Sequence, residues 1–126
     1  LGHVYASHIL VKEGLIEAPY HYGLVLNVPA ALPWSVANLE AMCQALPAGA
    51  DYTVMGIGRA SLPSQYAAIA RGGFIRVGFE DNVFYSKGVL AASNAQLVER
   101  AARLAHEASL KPATPDEVRK HLKLRS

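Results

Sequence analysis

The stretch Phe74 to Ser86, Phe-Ile-Arg-Val-Gly-Phe-Glu-Asp-Asn-Val-Phe-Tyr-Ser, decides the fold of this chain. Its first half predicts a buried strand over Phe74–Phe79, because alternate residues fall on opposite faces. Its second half begins with a polar cluster, Glu80, Asp81 and Asn82. Open α/β sheets and α/β barrels carry their chemistry just beyond the carboxyl ends of the strands. The sequence therefore predicts the functional site at this end of the strand.

Helical and strand patterns alternate along the rest of the chain. Strands are predicted over residues 20–28, 52–57 and 74–79, and helices over residues 2–15, 35–46, 62–71 and 93–109, with a short helix from 114. Strands that alternate with helices at roughly 25-residue spacing indicate parallel βα units. The first strand, Tyr-His-Tyr-Gly-Leu-Val-Leu-Asn-Val, is largely apolar, which predicts burial on both faces. Because a (β/α)8 barrel needs about 250 residues, three units form either a small open α/β layer or the C-terminal part of a barrel.

The composition favours part of a barrel. Hydrophobic residues make up 52% of the 126 residues, and the mean hydropathy is +0.16. This is rich for a small domain, whose surface is large relative to its volume, so much of the apolar surface is expected to meet other protein. The chain also lacks an initiator methionine, which suggests a start cut from something longer. We predict a single partial domain over residues 1–126: the C-terminal three βα units of a TIM (β/α)8 barrel, with parallel strands and a terminal helix.

Charge and cysteine content narrow the class of protein. The formal charge is +2 and the basic residues are scattered, except for a C-terminal group that is expected to form the solvated face of the last helix: Arg119, Lys120, Lys123 and Arg125. Without a basic stripe interleaved with aromatic residues, no nucleic-acid partner is expected. Cys43 is alone, which excludes an internal disulfide, and no apolar run reaches the ~20 residues of a membrane span. We expect a cytoplasmic protein with no membrane partner.

Arg76 is the first candidate site residue, because an arginine in an apolar strand needs a partner. Arg76 and Glu80 share a strand face about 13 Å apart, so they meet only through long side chains or a bend at Gly78. The arginine either orients a carboxylate or binds an anionic substrate, or it forms a structural salt bridge. Glu80 and Asp81 point to opposite sides. Either one of them ligates a metal while the other faces a partner, or both are solvated loop carboxylates.

Metal and phosphate patterns are sparse. The histidines form neither a His-x-His pair nor a His-Glu-x-x-His motif, so the residues alone predict no complete metal cage. Gly56-Ile57-Gly58-Arg59 follows a strand. It could offer backbone N–H groups and a positive charge to a phosphate, or its glycines could allow close helix–strand packing. Gly58 and Arg59 are thus weak candidates for binding a cofactor.

Three segments resemble the β-keto acid cleavage enzyme family, of the 3-keto-5-aminohexanoate type: Arg-Val-Gly-Phe-Glu-Asp-Asn at 76–82, Tyr-Ser-Lys-Gly-Val-Leu at 85–90 and Ser-Asn-Ala-Gln-Leu-Val-Glu at 93–99. Residues 56–59 and 113–117 also fit. The resemblance implies an oligomeric (β/α)8 barrel with a catalytic zinc ion. It further implies that a β-keto acid and acetyl-CoA are converted into acetoacetate and a new CoA thioester.

The resemblance also implies roles for individual residues. Glu80 matches the carboxylate zinc ligand, and Asp81 and Arg76 match the pair that takes part in proton abstraction and orientation. Zinc would act as a Lewis acid on the keto-acid carbonyls. The family's two zinc histidines lie in an upstream His-x-His motif that is absent here. We therefore expect this portion alone to be inactive. The alternative is a non-catalytic α/β module that self-associates through its open sheet edge.

Overall fold

The computed structural model describes residues 1–124, which form a three-stranded sheet, a two-stranded hairpin and five α-helices. The elements in chain order are α1 (Gly2–Lys12), β1 (His21–Leu26), α2 (Val36–Gln44), β2 (Asp51–Gly56), α3 (Ser61–Ala70), β3 (Phe74–Ile75), β4 (Phe84–Ser86), β5 (Val89–Leu90), α4 (Asn94–Glu107) and α5 (Pro115–His121). A 3₁₀ turn over Gly58–Ala60 precedes α3. The predicted place of Arg125 on the basic face lies outside the described residues. No helix in the described part is long and apolar enough to cross a membrane.

The three-stranded sheet is parallel and follows chain order, β1-β2-β3. β1 pairs with β2 along all six residues, from His21 opposite Asp51 onward. β3 pairs with β2 through its two residues only. Parallel pairing was the prediction from the alternation of strands and helices, because parallel neighbours need a crossover connection. The result is a mixed α/β arrangement consistent with a partial α/β domain.

The hydrophobic core lies on one face of this sheet, and α5 contacts the other face near the amino ends of the strands, where His121 lies beside Asp51 and Phe74. Leu24, Leu26 and Val54 lie on the core face and are buried together with Leu39 of α2. The prediction that β1 is buried on both faces is therefore wrong for the described residues. Residues on its other face, such as Val25, are exposed, because α1, α2 and α3 all contribute to the core on the same side.

β3 is shorter than predicted. It ends at Ile75, and Phe79, the predicted end of the strand, lies within a turn that begins at Gly78. The carbonyl oxygen of Gly78 accepts hydrogen bonds from the N–H groups of Asp81 and Asn82, at 3.1 and 3.0 Å. Phe79 was predicted to lie on a buried face, but it is exposed. The loop that replaces the end of the strand carries the polar cluster.

Helix starts follow the capping signals in the sequence. The hydroxyls of Ser35 and Ser93 each accept a hydrogen bond from the N–H three residues further on, at 3.0 and 3.1 Å. Thr114 and Glu117 form the predicted reciprocal capping box at the start of α5. Of the capping box predicted at the start of α4, the bond from the Gln96 N–H to the Ser93 hydroxyl is present. The Gln96 side chain accepts a hydrogen bond from the N–H of Ala92, the residue before the cap, and not from Ser93.

The β4–β5 hairpin is fastened to α4 by arginine side chains. Arg100 is buried, donates a hydrogen bond to the carbonyl oxygen of Tyr85, and lies 4.8 Å from the centre of the Tyr85 ring. Arg103 donates to the Tyr85 hydroxyl at 2.8 Å. Because the hairpin directly follows the polar cluster, α4 fixes one end of the loop that carries it.

Candidate active site

The candidate site lies where the carboxyl ends of the three parallel strands meet. Asn27 follows β1, the Gly58–Ala60 turn follows β2, and the loop 76–82 follows β3. This loop returns to the edge of the sheet, where the carbonyl oxygen of Asp81 accepts a hydrogen bond from the N–H of Gly58 at 2.7 Å. The position agrees with the expectation that chemistry collects at this end of a parallel sheet.

Arg76 contacts both carboxylates of the loop. Its Nε atom lies 3.1 Å from Oδ2 of Asp81, and its Nη2 forms a close ion pair with Oε2 of Glu80. Its Nη1 lies 3.3 Å from the sulfur atom of Met55. The reversal at Gly78 removes the separation that a regular strand would impose. The structure thus brings together the three residues that the sequence singled out as catalytic or metal-binding.

Burial separates the two acidic side chains. The Asp81 side chain is 6% exposed, whereas that of Glu80 is 83% exposed. This difference agrees with the prediction that neighbouring residues point to opposite sides. Arg76 is 43% exposed, although the sequence predicted a buried arginine, because its face of the sheet is not covered by a helix of the described residues at this end of the strands.

The protonation of Asp81 is set by its burial. Burial raises the pKa of the Asp81 carboxyl; the positive charge of Arg76 lowers it, and the negative charge of Glu80 raises it further, leaving a net increase. Within the described residues, no hydrogen bond of good geometry reaches the buried Oδ2, so Arg76 acts as a counter-charge there. A carboxyl with a raised pKa beside a cation can accept a proton and return it.

The glycine-rich turn after β2 serves the packing of this edge. A side chain at Gly56 would place its Cβ 2.4 Å from both the carbonyl oxygen of Ala60 and the hydroxyl of Ser64. Close helix–strand packing, one of the two explanations left open for these glycines, therefore accounts for Gly56. Gly58 has a φ of +60°, a conformation that favours glycine.

Two N–H groups at this turn have partners within the chain. Ile57 donates to the carbonyl oxygen of Leu26 at 3.0 Å, and Gly58 donates to Asp81. These two donors are therefore not free for a phosphate, as the second explanation would require. Arg59 has an exposed side chain, and its role with a coenzyme stays a prediction.

Two asparagines at the site were missed by the sequence reasoning. Asn27 donates a side-chain hydrogen bond to the carbonyl oxygen of Ile57 at 2.9 Å and has a φ of +72°. The Oδ1 atom of Asn94 accepts from the N–H of Phe79 at 2.8 Å, which ties the loop to the start of α4. The available signals were weak: an asparagine directly after a strand, and another directly after a capping serine.

The described residues do not by themselves fit a zinc site. They contain no group of three or more His, Cys, Asp or Glu side chains that could hold a metal ion. Zinc sites in proteins use three or four such ligands. Glu80 supplies at most one of them, and its carboxylate is paired with Arg76.

A sequence profile of the beta-keto acid cleavage enzyme family matches residues 1–124 of the chain. The chain belongs to this family. The match confirms the resemblance carried by residues 76–82, 85–90 and 93–99, and it covers the described residues from α1 to the end of α5.

Individual enzymes are also similar to the chain. A 3-keto-5-aminohexanoate cleavage enzyme of Fusobacterium nucleatum is 46% identical over 114 residues, and another from Acetoanaerobium sticklandii is 41% identical over 113; each alignment covers 90% of this chain and 41% of the relative. A 3-dehydrocarnitine:acetyl-CoA trimethylamine transferase of Rhizobium meliloti is 38% identical over 123 residues, covering 98% of this chain and 41% of the relative. The chain thus spans about two fifths of the length of these relatives.

Proposed function

We propose that this chain is the C-terminal portion of a (β/α)8-barrel enzyme that cleaves a β-keto acid in a reaction with acetyl-CoA. The acetyl group is transferred to the carbon between the keto and carboxyl groups, giving acetoacetate, and the remainder of the keto acid leaves as a new acyl-CoA thioester. Family membership supports this proposal, as does a relative whose name pairs a keto compound with acetyl-CoA. Three parallel strands with α1, α2 and α3 packed on one face would suit consecutive βα units of a barrel.

The contact of half-exposed Arg76 with buried Asp81 is the observation that carries the proposal. In the proposed reaction, Asp81 accepts the proton from the carbon between the keto and carboxyl groups. Its raised pKa suits that role, because a base works best when its pKa lies nearer the working pH. Arg76 holds Asp81 in place and offers its exposed N–H groups to the substrate carboxylate.

The cofactor proposals have unequal support. Acetyl-CoA as co-substrate is supported by the name of the Rhizobium meliloti relative, and exposed Arg59 is proposed to contact its phosphates. Zinc, with Glu80 as one ligand, rests on the resemblance alone. Because the described residues do not form a zinc site, no step is derived through the metal. We propose that this portion alone neither retains one zinc ion per chain nor turns over.

The partly uncovered sheet face opposite the core favours a second candidate, a non-catalytic module that self-associates. Val25 and Phe74 are 39% and 38% exposed on that side, and β1 and β3 are the edge strands of the described sheet. Open edges and apolar surface of this kind are templates for association. Sedimentation velocity tests this candidate, since a stable monomer across the micromolar range would contradict self-association of the chain.

The enzymatic proposal is tested with a chimera. Residues 1–126 replace the segment that they match in the Fusobacterium nucleatum enzyme, and acetoacetate formation from 3-keto-5-aminohexanoate and acetyl-CoA is followed. We expect turnover by the chimera, none by the chain alone, and a loss of at least about 100-fold on Asp81→Asn or Arg76→Ala.

Glu17→Gln is the control, because Glu17 is an exposed loop carboxylate. This variant should keep full activity. An active Asp81→Asn chimera would contradict the proposed role of Asp81. If the chimera fails to fold, the substitutions aligned with Asp81 and Arg76 in the intact relative test the same roles.

A further inference from the structure

We infer that Asn27 is a positioning residue: it holds the peptide group between Ile57 and Gly58 in one orientation and thereby fixes where Asp81 stands. The inference deepens the proposed function, on which its catalytic part rests. Asn27 lies 54 positions before Asp81 in the chain and makes no direct hydrogen bond with it. Its influence would pass through the single peptide group that both residues contact.

Asn27 is itself held in a demanding conformation. Its φ of +72° lies in the left-handed region, which few residues other than glycine adopt. Its N–H donates to the carbonyl oxygen of Leu32 at 2.9 Å, and its Nδ2 donates to the carbonyl oxygen of Ile57, also at 2.9 Å. Both ends of the residue are therefore occupied, and asparagine adopts this conformation more readily than most residues with a side chain.

The contacted peptide group has a partner at each end. Its carbonyl oxygen, on Ile57, accepts from Asn27, and its N–H, on Gly58, donates to the carbonyl oxygen of Asp81 at 2.7 Å. A peptide group is planar, so the directions of its C=O and N–H are fixed relative to each other. Rotation of this group would therefore break both hydrogen bonds at once.

Gly58 makes such a rotation possible in the absence of restraint. Its φ is +60° and no atom lies within 4 Å of where a side chain would begin. Glycine populates positive and negative φ about equally, so Gly58 does not itself select the observed orientation. The observed orientation is selected by the hydrogen bond from Asn27 to the carbonyl oxygen of Ile57. A longer bond from the N–H of Ala60 to the same oxygen, at 3.3 Å, assists it.

The backbone of Asp81 depends on this orientation. Its carbonyl oxygen accepts from Gly58, and its N–H donates to the carbonyl oxygen of Gly78 at 3.1 Å. The carboxyl group lies beside Nε of Arg76 at 3.1 Å. A small displacement of a reacting group reduces turnover more than binding, because it disturbs alignment in the transition state. Loss of Asn27 is thus expected to lower kcat and to change KM little.

The first test measures amide hydrogen exchange by NMR in the 126-residue chain. Asn27→Gly removes the side-chain amide but keeps the left-handed backbone accessible. We expect the protection of the Gly58 amide to fall at least 10-fold, while that of core amides in β1 and β2 changes less than twofold. Asn38→Ala is the matched control, since Asn38 also donates its Nδ2 to a backbone carbonyl, that of Pro33, but does not contact Ile57.

Unchanged protection of Gly58 in Asn27→Gly would overturn the inference, and so would an equal loss at every amide. The second test measures kcat and KM of Asn27→Gly in the chimera, where kcat should fall at least 10-fold with KM within threefold. A normal kcat despite lost Gly58 protection would overturn the positioning role. An inactive parent chimera with the expected exchange result would instead count against the proposed function and leave the structural link standing.

Discussion

The Nε atom of Arg76 lies 3.1 Å from Oδ2 of Asp81, but the two side chains differ in environment: the arginine is 43% exposed and the aspartate 6%. Arg76 can exchange this contact for water, whereas Asp81 has no comparable alternative. The two members of the pair therefore depend on each other unequally. Loss of Arg76 should affect the stability of the chain differently from loss of Asp81.

Arg76→Ala should destabilise the chain because it leaves the Asp81 carboxylate buried without a counter-charge. Breaking a fully buried pair costs several kcal/mol; because Arg76 is partly solvated, we expect a decrease of about 1–2 kcal/mol in the free energy of unfolding at pH 7. The double variant Arg76→Ala/Asp81→Asn should recover most of the loss. Urea denaturation of all four proteins measures the coupling, and strictly additive effects would contradict it.

Asp81→Asn should stabilise the chain at pH 7 but not in acid. Burial raises the pKa of Asp81 above its ordinary value of 3.8, so the folded state binds this proton more tightly than the unfolded state. The contribution of Asp81 to stability therefore falls as the pH rises from the unfolded pKa through the raised folded pKa. The advantage of Asp81→Asn should grow over that window and level off above it. Urea denaturation midpoints of Asp81→Asn and of the parent chain, measured from pH 3 to pH 7, give this difference in stability. Glu17→Gln is the control for an exposed carboxylate.

Gly56→Ala and Gly58→Ala should differ although the two residues share one turn. A Cβ at Gly56 would clash with backbone and hydroxyl oxygens at 2.4 Å, so we expect a loss of more than about 2 kcal/mol from overpacking. At Gly58 there is space but φ is +60°, and the left-handed conformation alone costs about 1 kcal/mol. Thermal unfolding distinguishes the two, and an equal loss would contradict the packing role of Gly56.

Arg100→Met should loosen the β4–β5 hairpin. It removes the bond to the carbonyl oxygen of Tyr85 and the cation over the Tyr85 ring, and we expect a loss of about 1–3 kcal/mol with faster amide exchange in the hairpin. Tyr85→Phe keeps both contacts and removes only the hydroxyl that exposed Arg103 reaches. Its effect should stay below about 0.5 kcal/mol. Equal losses in the two variants would show that the Tyr85 hydroxyl, and not Arg100, holds the hairpin against α4.

The parts of the fold that the sequence predicted are those with local signals. Alternating strands and helices indicated a parallel sheet, since strands in that arrangement are joined by crossover helices. Ser35 and Thr114 marked helix starts because a hydroxyl at that position satisfies a free N–H group. The polar cluster was placed correctly after the third strand, and the bend at Gly78, one of two options for joining Arg76 to Glu80, is present.

The features that were missed depend on contacts between distant residues. The apolar sequence of β1 predicts burial on both faces, but whether the second face is covered depends on other elements. The hairpin strands have three and two residues, too few for an alternating pattern to emerge. Asn27 gains its importance from Ile57, 30 positions away, and nothing in the neighbouring residues signals that bond.

The hydrogen bond from Gly58 to Asp81 joins two residues of this chain, as does the ion pair from Arg76. The contacts that hold the backbone and the carboxyl group of Asp81 are therefore made within the described residues. A group of residues whose mutual contacts lie within one segment can pass unchanged between enzymes while the surrounding segments diversify. We expect exchanges of the matching segment among family members to transfer catalytic competence, and keto-acid preference to remain with the recipient enzyme.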